Sequence, residues 1–558
     1  MYETQNRDIY SWNTYNWAAA VFGAVVTQFG ALLIDSMANT FAQNAAGQSS
    51  IPSCKMVNGS YSYPNVTGCI KCSVGFGDQV YFSDDRYDYP PTLYIVKGLQ
   101  PSAFALVVLA IRVFCEAICY ISFGAMADYS NLRKNLLLLT AWCGAAVGLA
   151  FLGVPVDSQG SGLGPVVVVW IITSVFLGVS SVFHTAFIPF LAADHPAVKA
   201  EPEKAEQVKN HISGVGIVNG LLGTLLGFII AIVMLTLAGA LAEDATALDA
   251  QQGFRLAIFV TAVCWGIGTF GLLLLHPWPG KTLPEGTTSY VLHGWRQTAA
   301  TLRRASQLPQ MFRFLMLYFV YVSGIGTTAS VGLLFAKHDM CATTLNQFIV
   351  VISVPISATV GVWVFQKVYE GFGLTTMAIL RLTLAVYLFL PIWGIIGYIP
   401  TSPIGFRKIW ELYFIGAWYG FILGSTGSYS RTVFSALIPP GEEAQFFSLF
   451  LATERASAWI GPLIIGMLTQ TRTAGVMRVG LFYLLVTVAV PLLLLGYVDV
   501  EQGKEEALSG SSTKQIAVQA KYSTVLQEEK TCPQMTDAPS TATAATQEIS
   551  EKSNPSSM

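Results

Sequence analysis

Charge is what this chain has least of. Asp, Glu, Lys and Arg make up 11% of its 558 residues, where a soluble globular domain carries about 25%. The few charges nearly cancel, to a net −2, and the basic residues are dispersed with no basic stripe. That excludes a nucleic-acid partner. No phosphate-cradling Gly-x-x-x-x-Gly-Lys-Ser/Thr loop, no His-x-x-x-His pair and no Gly-x-Ser-x-Gly elbow occurs. A pump driven directly by nucleotide hydrolysis is thereby excluded, no enzymatic constellation emerges, and neither a metal nor a cofactor is expected.

What fills the chain instead is apolar sequence, 53% by residue count. Runs of about 20 apolar residues, the length needed to cross a bilayer core of about 30 Å, recur throughout. The expected spans are 17–40, 102–127, 136–155, 164–190, 211–240 and 253–276, then 311–336, 345–366, 373–399, 409–432, 444–470 and 475–498. The fold class read from them is an all-α membrane protein with twelve transmembrane helices in two six-helix halves. The first half covers 17–276 and the second 311–498, joined by a middle loop over 277–310. Residues 1–16 precede the first span, and the run that follows is too long for a signal h-region, so an uncleaved first span is expected. The tail over 499–558, rich in Ser, Thr, Ala and Glu, reads as disordered.

Loop charge sets the orientation. Arg133, Lys134, Lys199, Lys204, Lys209, Lys281, Arg296, Arg303 and Arg304 fall on one side, and the positive-inside rule makes that side cytosolic, with both termini. The first loop, 41–101, then faces a lumen or the exterior. It carries two glycosylation sequons, at Asn58 and Asn65, and three cysteines, Cys54, Cys69 and Cys72, for which a disulfide is favoured over metal binding or redox chemistry. In the middle loop, Trp295, Ala299 and Leu302 share a helix face flanked by Arg296 and Arg303. Such a helix suits a headgroup layer, or simply a link between the halves.

An ionisable group at mid-membrane costs several kcal/mol and marks function by default. Arg112 and Glu116 stand four apart on the second span and can pair along one face. Glu454 and Arg455, adjacent on the eleventh, point about 100° apart and need partners elsewhere. Arg455 suits a carboxylate ligand, and Glu116 or Glu454 suits proton coupling; interhelical salt bridges are the equal alternative for both pairs. His184 in the fourth span is either a coupling group or a hydrogen-bonded packing residue. Asp35, a further binding or coupling candidate in the outer third of the first span, is placed to reach water, while Arg255, Arg313 and Glu411 lie near span ends and can snorkel. Asn39, Tyr321, Trp418 and Tyr419 are plausible cavity-lining groups. Gly216, Gly220, Gly223 and Gly227 give the fifth span a close-packing face, and Gly461-Pro462 marks a kink beyond Arg455. Residue chemistry alone admits a transporter of another small solute at the plasma membrane, or a non-transporting receptor or assembly protein.

The loop after the second span, Gly124-Ala-Met-Ala-Asp128-Tyr-Ser-Asn-Leu-Arg133-Lys134, resembles the gate signature of the major facilitator superfamily. The corresponding loop of the second half, 361–373, keeps Gln366-Lys367 but no Asp. Tyr15-Asn-Trp-Ala, Ala186-Phe-Ile-Pro189, Phe312-Arg-Phe-Leu-Met-Leu-Tyr318-Phe, Tyr429-Ser-Arg431, Leu437-Ile-Pro-Pro-Gly441, Phe446-Phe447 and Ala456-Ser-Ala-Trp-Ile-Gly461-Pro462 resemble the autophagy-related vacuolar amino-acid effluxers of that superfamily. The resemblance covers about 15–500. It implies a major facilitator fold in the vacuole membrane and export of amino acids such as leucine to the cytosol after autophagic protein breakdown. It also implies a gate formed by Gly124, Asp128, Arg133 and Lys134, with amino acids, and protons as a coupling ion, as the partners of a monomer. Glu454 departs from the small residue expected there, which leaves its role open.

Overall fold

The computed structural model describes residues 2–45, 101–129, 133–201, 205–242, 245–278, 290–340, 342–399, 402–439, 443–469 and 478–509, with four short strand segments in the first loop. The long helix α1 (Tyr2–Ala45) opens the first half. After it come two small antiparallel hairpins, β1 (Lys55–Val57) with β2 (Ser60–Ser62) and β3 (Ser73–Gly75) with β4 (Gln79–Tyr81). The half continues with α2 (Pro101–Tyr129), α3 (Arg133–Leu149), α4 (Leu163–Thr185), the short α5 (Ile188–Ala193) and α6 (Pro196–Ala200), α7 (Ala205–Leu237) and α8 (Ala247–Thr269). Helix α9 (Tyr290–Ala305) is the linker. The second half comprises α10 (Pro309–Asp339), α11 (Thr344–Phe372), α12 (Thr376–Tyr387), α13 (Phe389–Ile396), α14 (Ile409–Ala436), α15 (Glu443–Ser457), α16 (Ile460–Thr469) and α17 (Val479–Leu494).

Each expected span has its helix, the ninth being α12 with α13 and the eleventh α15 with α16. Among the described residues, ten helices are long and apolar enough to cross a membrane. The expected tenth and eleventh spans are the two outside that set, for physical reasons. Helix α14 is diluted by Glu411, Ser425, Thr426, Ser428, Ser430 and Arg431. The eleventh span is broken after Ser457 into pieces of 15 and 10 residues. The break precedes Pro462, which falls in the first turn of α16, where a missing N–H costs least. It comes two residues after Arg455.

Close packing follows the small residues. Helix α7 lies on α1 through its glycines: a Cβ on Gly223 would meet the Trp17 carbonyl oxygen at 2.4 Å, and one on Gly227 that of Val21 at 2.5 Å. Helices α11 and α14 meet the same way. A Cβ on Gly361 would sit 1.7 Å from the Phe421 carbonyl oxygen. Helix α1 is the hub of its half, touching α2, α4, α7 and α8, and residues 31–38 are buried all round its circumference.

Two terminal features differ from expectation. Glu411 does not snorkel: it is fully buried. Its carboxylate accepts backbone N–H groups of Gly405, Phe406, Arg407 and Lys408 and the Trp393 indole N–H, at 2.7–3.1 Å. That cap holds Phe406 at φ 61°, a left-handed conformation costly for an aromatic residue. Likewise, the chain does not lose structure at 499. Residues 500–509 are helical, with Gln502 and Glu506 accepting from Gln310 at 2.7 and 3.1 Å.

A substitution separates packing from propensity. A Cβ on Gly461 would lie 1.7 Å from Thr327 Oγ1, whose own hydrogen bond goes to Ser323 O. Gly461→Ala is expected to destabilise by about 1–3 kcal/mol. Gly332→Ala, with nothing within 4 Å, is expected to be neutral or mildly stabilising. Thermal unfolding of the detergent-solubilised protein checks both; equal melting temperatures for the two variants would refute the packing argument.

Candidate functional site: the cleft between the halves

The halves meet along two seams and at a hub. Helix α2 runs along α15 and α16, α7 against α11, and α1 touches α10. The bundle has a loop end, where α1 finishes and the first loop leaves, and a terminal end, where α1 begins and α17 finishes. The loop end is shut. Lys337 Nζ of α10 lies 2.6 Å from Asp35 Oδ2 of α1, and the Phe29 ring of α1 stacks on Phe348 of α11 at 4.6 Å. Asp35, placed by sequence to reach water, is 0% exposed, because α1 at that level has neighbours on every side. Lys337 escaped notice because it stands just past the expected end of its span, where a lysine ordinarily snorkels.

Toward the terminal end, charged and phenolic groups from both halves converge. Glu454 of α15 accepts a hydrogen bond from Tyr318 OH of α10 at 3.1 Å, and Tyr318 stacks on Phe450 at 4.0 Å. Glu454 thus finds its partner on another helix, as the adjacency argument required. Tyr120 of α2, in the opposite half, lies within electrostatic reach of Arg455, Glu454 and Arg431. Arg431 and Arg455 are both exposed, and their shared neighbour Tyr120 places them toward the cleft rather than toward lipid. Neither Arg431 nor Tyr120 stood out as a site residue in sequence. An arginine near a span end and a tyrosine within a span each have an ordinary explanation, and only their convergence singles them out.

The other predicted residues are accounted for differently. Arg112 Nη1 and Glu116 Oε1 are 2.5 Å apart, with the guanidinium 4.9 Å from the Trp170 ring centroid. Trp170 in turn donates to Val26 O at 2.8 Å. The pair is therefore closed on itself and braced against α4, although Arg112 Nε has no hydrogen-bond partner. His184 is buried between α1 and α4. Its Nε2 donates to Trp12 O at 3.0 Å, the Trp12 indole donates to His184 O at 3.0 Å, and the rings stack at 4.4 Å. That reciprocal clasp is a packing arrangement. Asn39 and Trp418 are likewise spent on backbone carbonyls, and Tyr321 on Ser430.

Of the gate residues, Gly124 and Asp128 belong to the last turns of α2, and their side chains lie outside the described residues. Arg133 is 1% exposed and stacks over Phe190 at 4.1 Å. Lys134 donates to the carbonyls of Leu273 and Leu275 at 2.9 and 2.5 Å, capping the end of the sixth span. Asn58, Asn65, Cys54, Cys69 and Cys72 lie outside the described residues.

Nearer the loop end, beginning at Thr327, nine residues along α10 from Tyr318, lies a cavity of about 330 Å³ with almost wholly apolar walls. Most of its lining comes from α10, α11 and α14, including Thr327, Pro355 and Tyr419, and the first half contributes Gln28, Thr224 and Phe228. The arrangement therefore offers a solute two chemistries: cations with a carboxylate in the cleft, and an apolar pocket bounded by both halves.

Comparison with known proteins points the same way. The profile of the family described as "Vacuole effluxer Atg22 like" matches residues 4–508. Autophagy-related protein 22 of Coccidioides immitis is 26% identical, the alignment covering 90% of this chain and 88% of the relative. Autophagy-related protein 22-1 of Phaeosphaeria nodorum is 27% identical, over 90% and 92%. Among solved structures, the inward-open xylose transporter XylE from E. coli superposes with TM-score 0.57 at 12% identity, over 89% of this chain and 98% of that one. A POT family transporter in complex with 5-aminolevulinic acid gives 0.54 at 15%, over 88% and 96%. At such identities the structural likeness concerns the fold: twelve helices of the major facilitator type.

The loop-end ion pair makes a directional prediction. Lys337→Met strips a buried carboxylate of this cation and is expected to cost about 3–5 kcal/mol. Asp35→Asn, leaving a lysine that reaches solvent, is expected to cost less, and Asp35→Asn with Lys337→Met to recover most of the loss. Thermal unfolding of the three variants measures this; additive losses in the double variant would show that the two groups do not stabilise each other.

Proposed function

This chain belongs to the vacuole effluxer Atg22-like family, and from that premise we propose that it exports amino acids, leucine among them, from the vacuole lumen to the cytosol after autophagic protein breakdown. Its helices, its relatives and its structural neighbours make it a multi-pass membrane protein with a transporter fold. One observation carries the finer reading: Arg431, Glu454, Arg455 and Tyr318 of the second half converge with Tyr120 of the first in a cleft between two halves locked together at the loop end.

An amino acid carries a carboxylate, an ammonium group and a side chain. Arg455, which shares the neighbour Tyr120 with Arg431, supplies bidentate donors for the carboxylate. Glu454 offers a counter-charge for the ammonium group, or a site for a coupled proton, and its hydrogen bond from Tyr318 holds it in place. The apolar cavity nearer the loop end has walls from both halves, so an aliphatic side chain passing between them engages both. In this reading the halves rock about the cleft, as inverted-repeat transporters do. The helix break after Ser457 lets α15 and its arginine move against α16, and opening to the lumen requires Asp35 and Lys337 to part. Arg112 and Glu116, paired within one helix and braced by Trp170, support the geometry of the seam rather than contact the solute.

Counterflow of labelled leucine in proteoliposomes, with and without a pH gradient, tests the proposal. Arg455→Ala is expected to lower transport roughly a hundredfold at limiting substrate, the effect of losing about 3 kcal/mol of charge-assisted binding, with normal yield and melting temperature. Tyr318→Phe is expected to change the pH dependence of transport more than its rate. Wild-type counterflow by folded Arg455→Ala would overturn the assignment.

A further inference from the structure

The linker helix α9 divides into three stripes that the transport cycle leaves unused. At about 100° per residue, Gly294, Thr301 and Ala305 form one narrow stripe. All three are buried, and the helix packs on α2 of one half and α15 of the other. Val291, Trp295 and Leu302 form a second stripe, next to the first, and are 40–42% exposed. Arg303 and Arg296 form a third, beyond the apolar one, and are exposed as well. The Trp295 indole N–H donates to Ser122 Oγ near the end of α2 at 3.0 Å, which fixes the rotation of the helix. Only Ser306, Gln307 and Leu308 separate α9 from the start of the α10 span.

We propose that α9 lies in the headgroup layer of the membrane the protein spans, with Val291, Trp295 and Leu302 inserted among acyl chains and Arg296 and Arg303 bound to anionic phospholipid headgroups. Three observations carry this. A small-residue face already serves the protein, and apart from the Trp295 indole N–H, held by Ser122, the exposed parts of the apolar stripe are left over from packing. Tryptophan beside arginine is the composition of a helix at a lipid interface. And the helix is tethered so close to a span that its depth is set by where α10 enters the bilayer. An anionic leaflet satisfies both exposed stripes at once, acyl chains taking one and phosphates the other, where an acidic protein partner would answer only the arginines. Because α9 touches both halves, lipid bound there bears on the end of the bundle opposite the Asp35–Lys337 pair.

The test uses the full-length protein in nanodiscs of phosphatidylcholine and phosphatidylserine in equal parts. Native mass spectrometry is expected to find phosphatidylserine retained by the wild type and bound about fivefold more weakly for each arginine removed in the Arg296→Gln and Arg303→Gln variants, with phosphatidylcholine retention unchanged. The fluorescence component that disappears in Trp295→Phe is expected to be quenched by lipids brominated on their acyl chains and spared by aqueous iodide. Equal phosphatidylserine retention in folded Arg296→Gln/Arg303→Gln protein would overturn the proposal. So would quenching of Trp295 by iodide rather than by brominated lipid, which would leave this face open to water or to a protein partner.

Discussion

The hydrocarbon core of a bilayer offers no water to a carboxylate, a guanidinium or a peptide group, and the architecture of this protein follows from that refusal. Backbone groups are satisfied inside helices, so the chain crosses as helices. Side-chain charges must then be paired, stacked or turned toward a water-filled space. Each solution appears. Arg112 pairs along its own helix and stacks on Trp170. Glu411 gathers the N–H groups of a turn. Asp35 takes a lysine from the other half. Arg431 and Arg455 stay exposed and face the cleft.

These solutions differ in what they permit. A charge paired within one helix or one half travels with it and costs nothing when the halves move. A charge paired between halves has to be separated, and a buried pair resists separation because each ion is left without compensation. The Asp35–Lys337 contact is of the second kind and joins the central helix α1 to α10. It lies at the opposite end of the bundle from the exposed arginines. In the transport cycle proposed above, a structure held shut at one end would be one posture, and the ion pair the contact whose loss begins the next.

The same constraint explains why two spans look unlike the rest. Helix α14 carries Arg431 and buries Ser425, Thr426 and Ser430 against neighbours instead of lipid, and the eleventh span, broken in two, carries Glu454 and Arg455 on its first piece. The break before Trp459, whose ring packs edge-on against Phe114 of α2 at 5.2 Å, places an interruption of the helix on the seam between halves, near the arginine proposed to hold the solute.

Much of this was legible in the residues alone. Runs of about 20 apolar residues force helices of bilayer length, so span number and approximate limits followed from composition. The spacing of Arg112 and Glu116 made their pairing a matter of helix pitch, and the glycines of the fifth span announced a close contact. What sequence could not decide was everything that depends on which helices become neighbours. Asp35 read as water-facing because its distance from the span end was known and its three-dimensional surroundings were not. Lys337, Arg431 and Tyr120 each had an ordinary local explanation. His184 read as either a coupling group or a hydrogen-bonded packing residue until Trp12, 172 residues away in the chain, closed on it from both sides and decided for packing. Hydrophobicity is additive along a chain and can be read from it. The partner of a buried charge is set by packing between distant segments, and only the tertiary structure decides it.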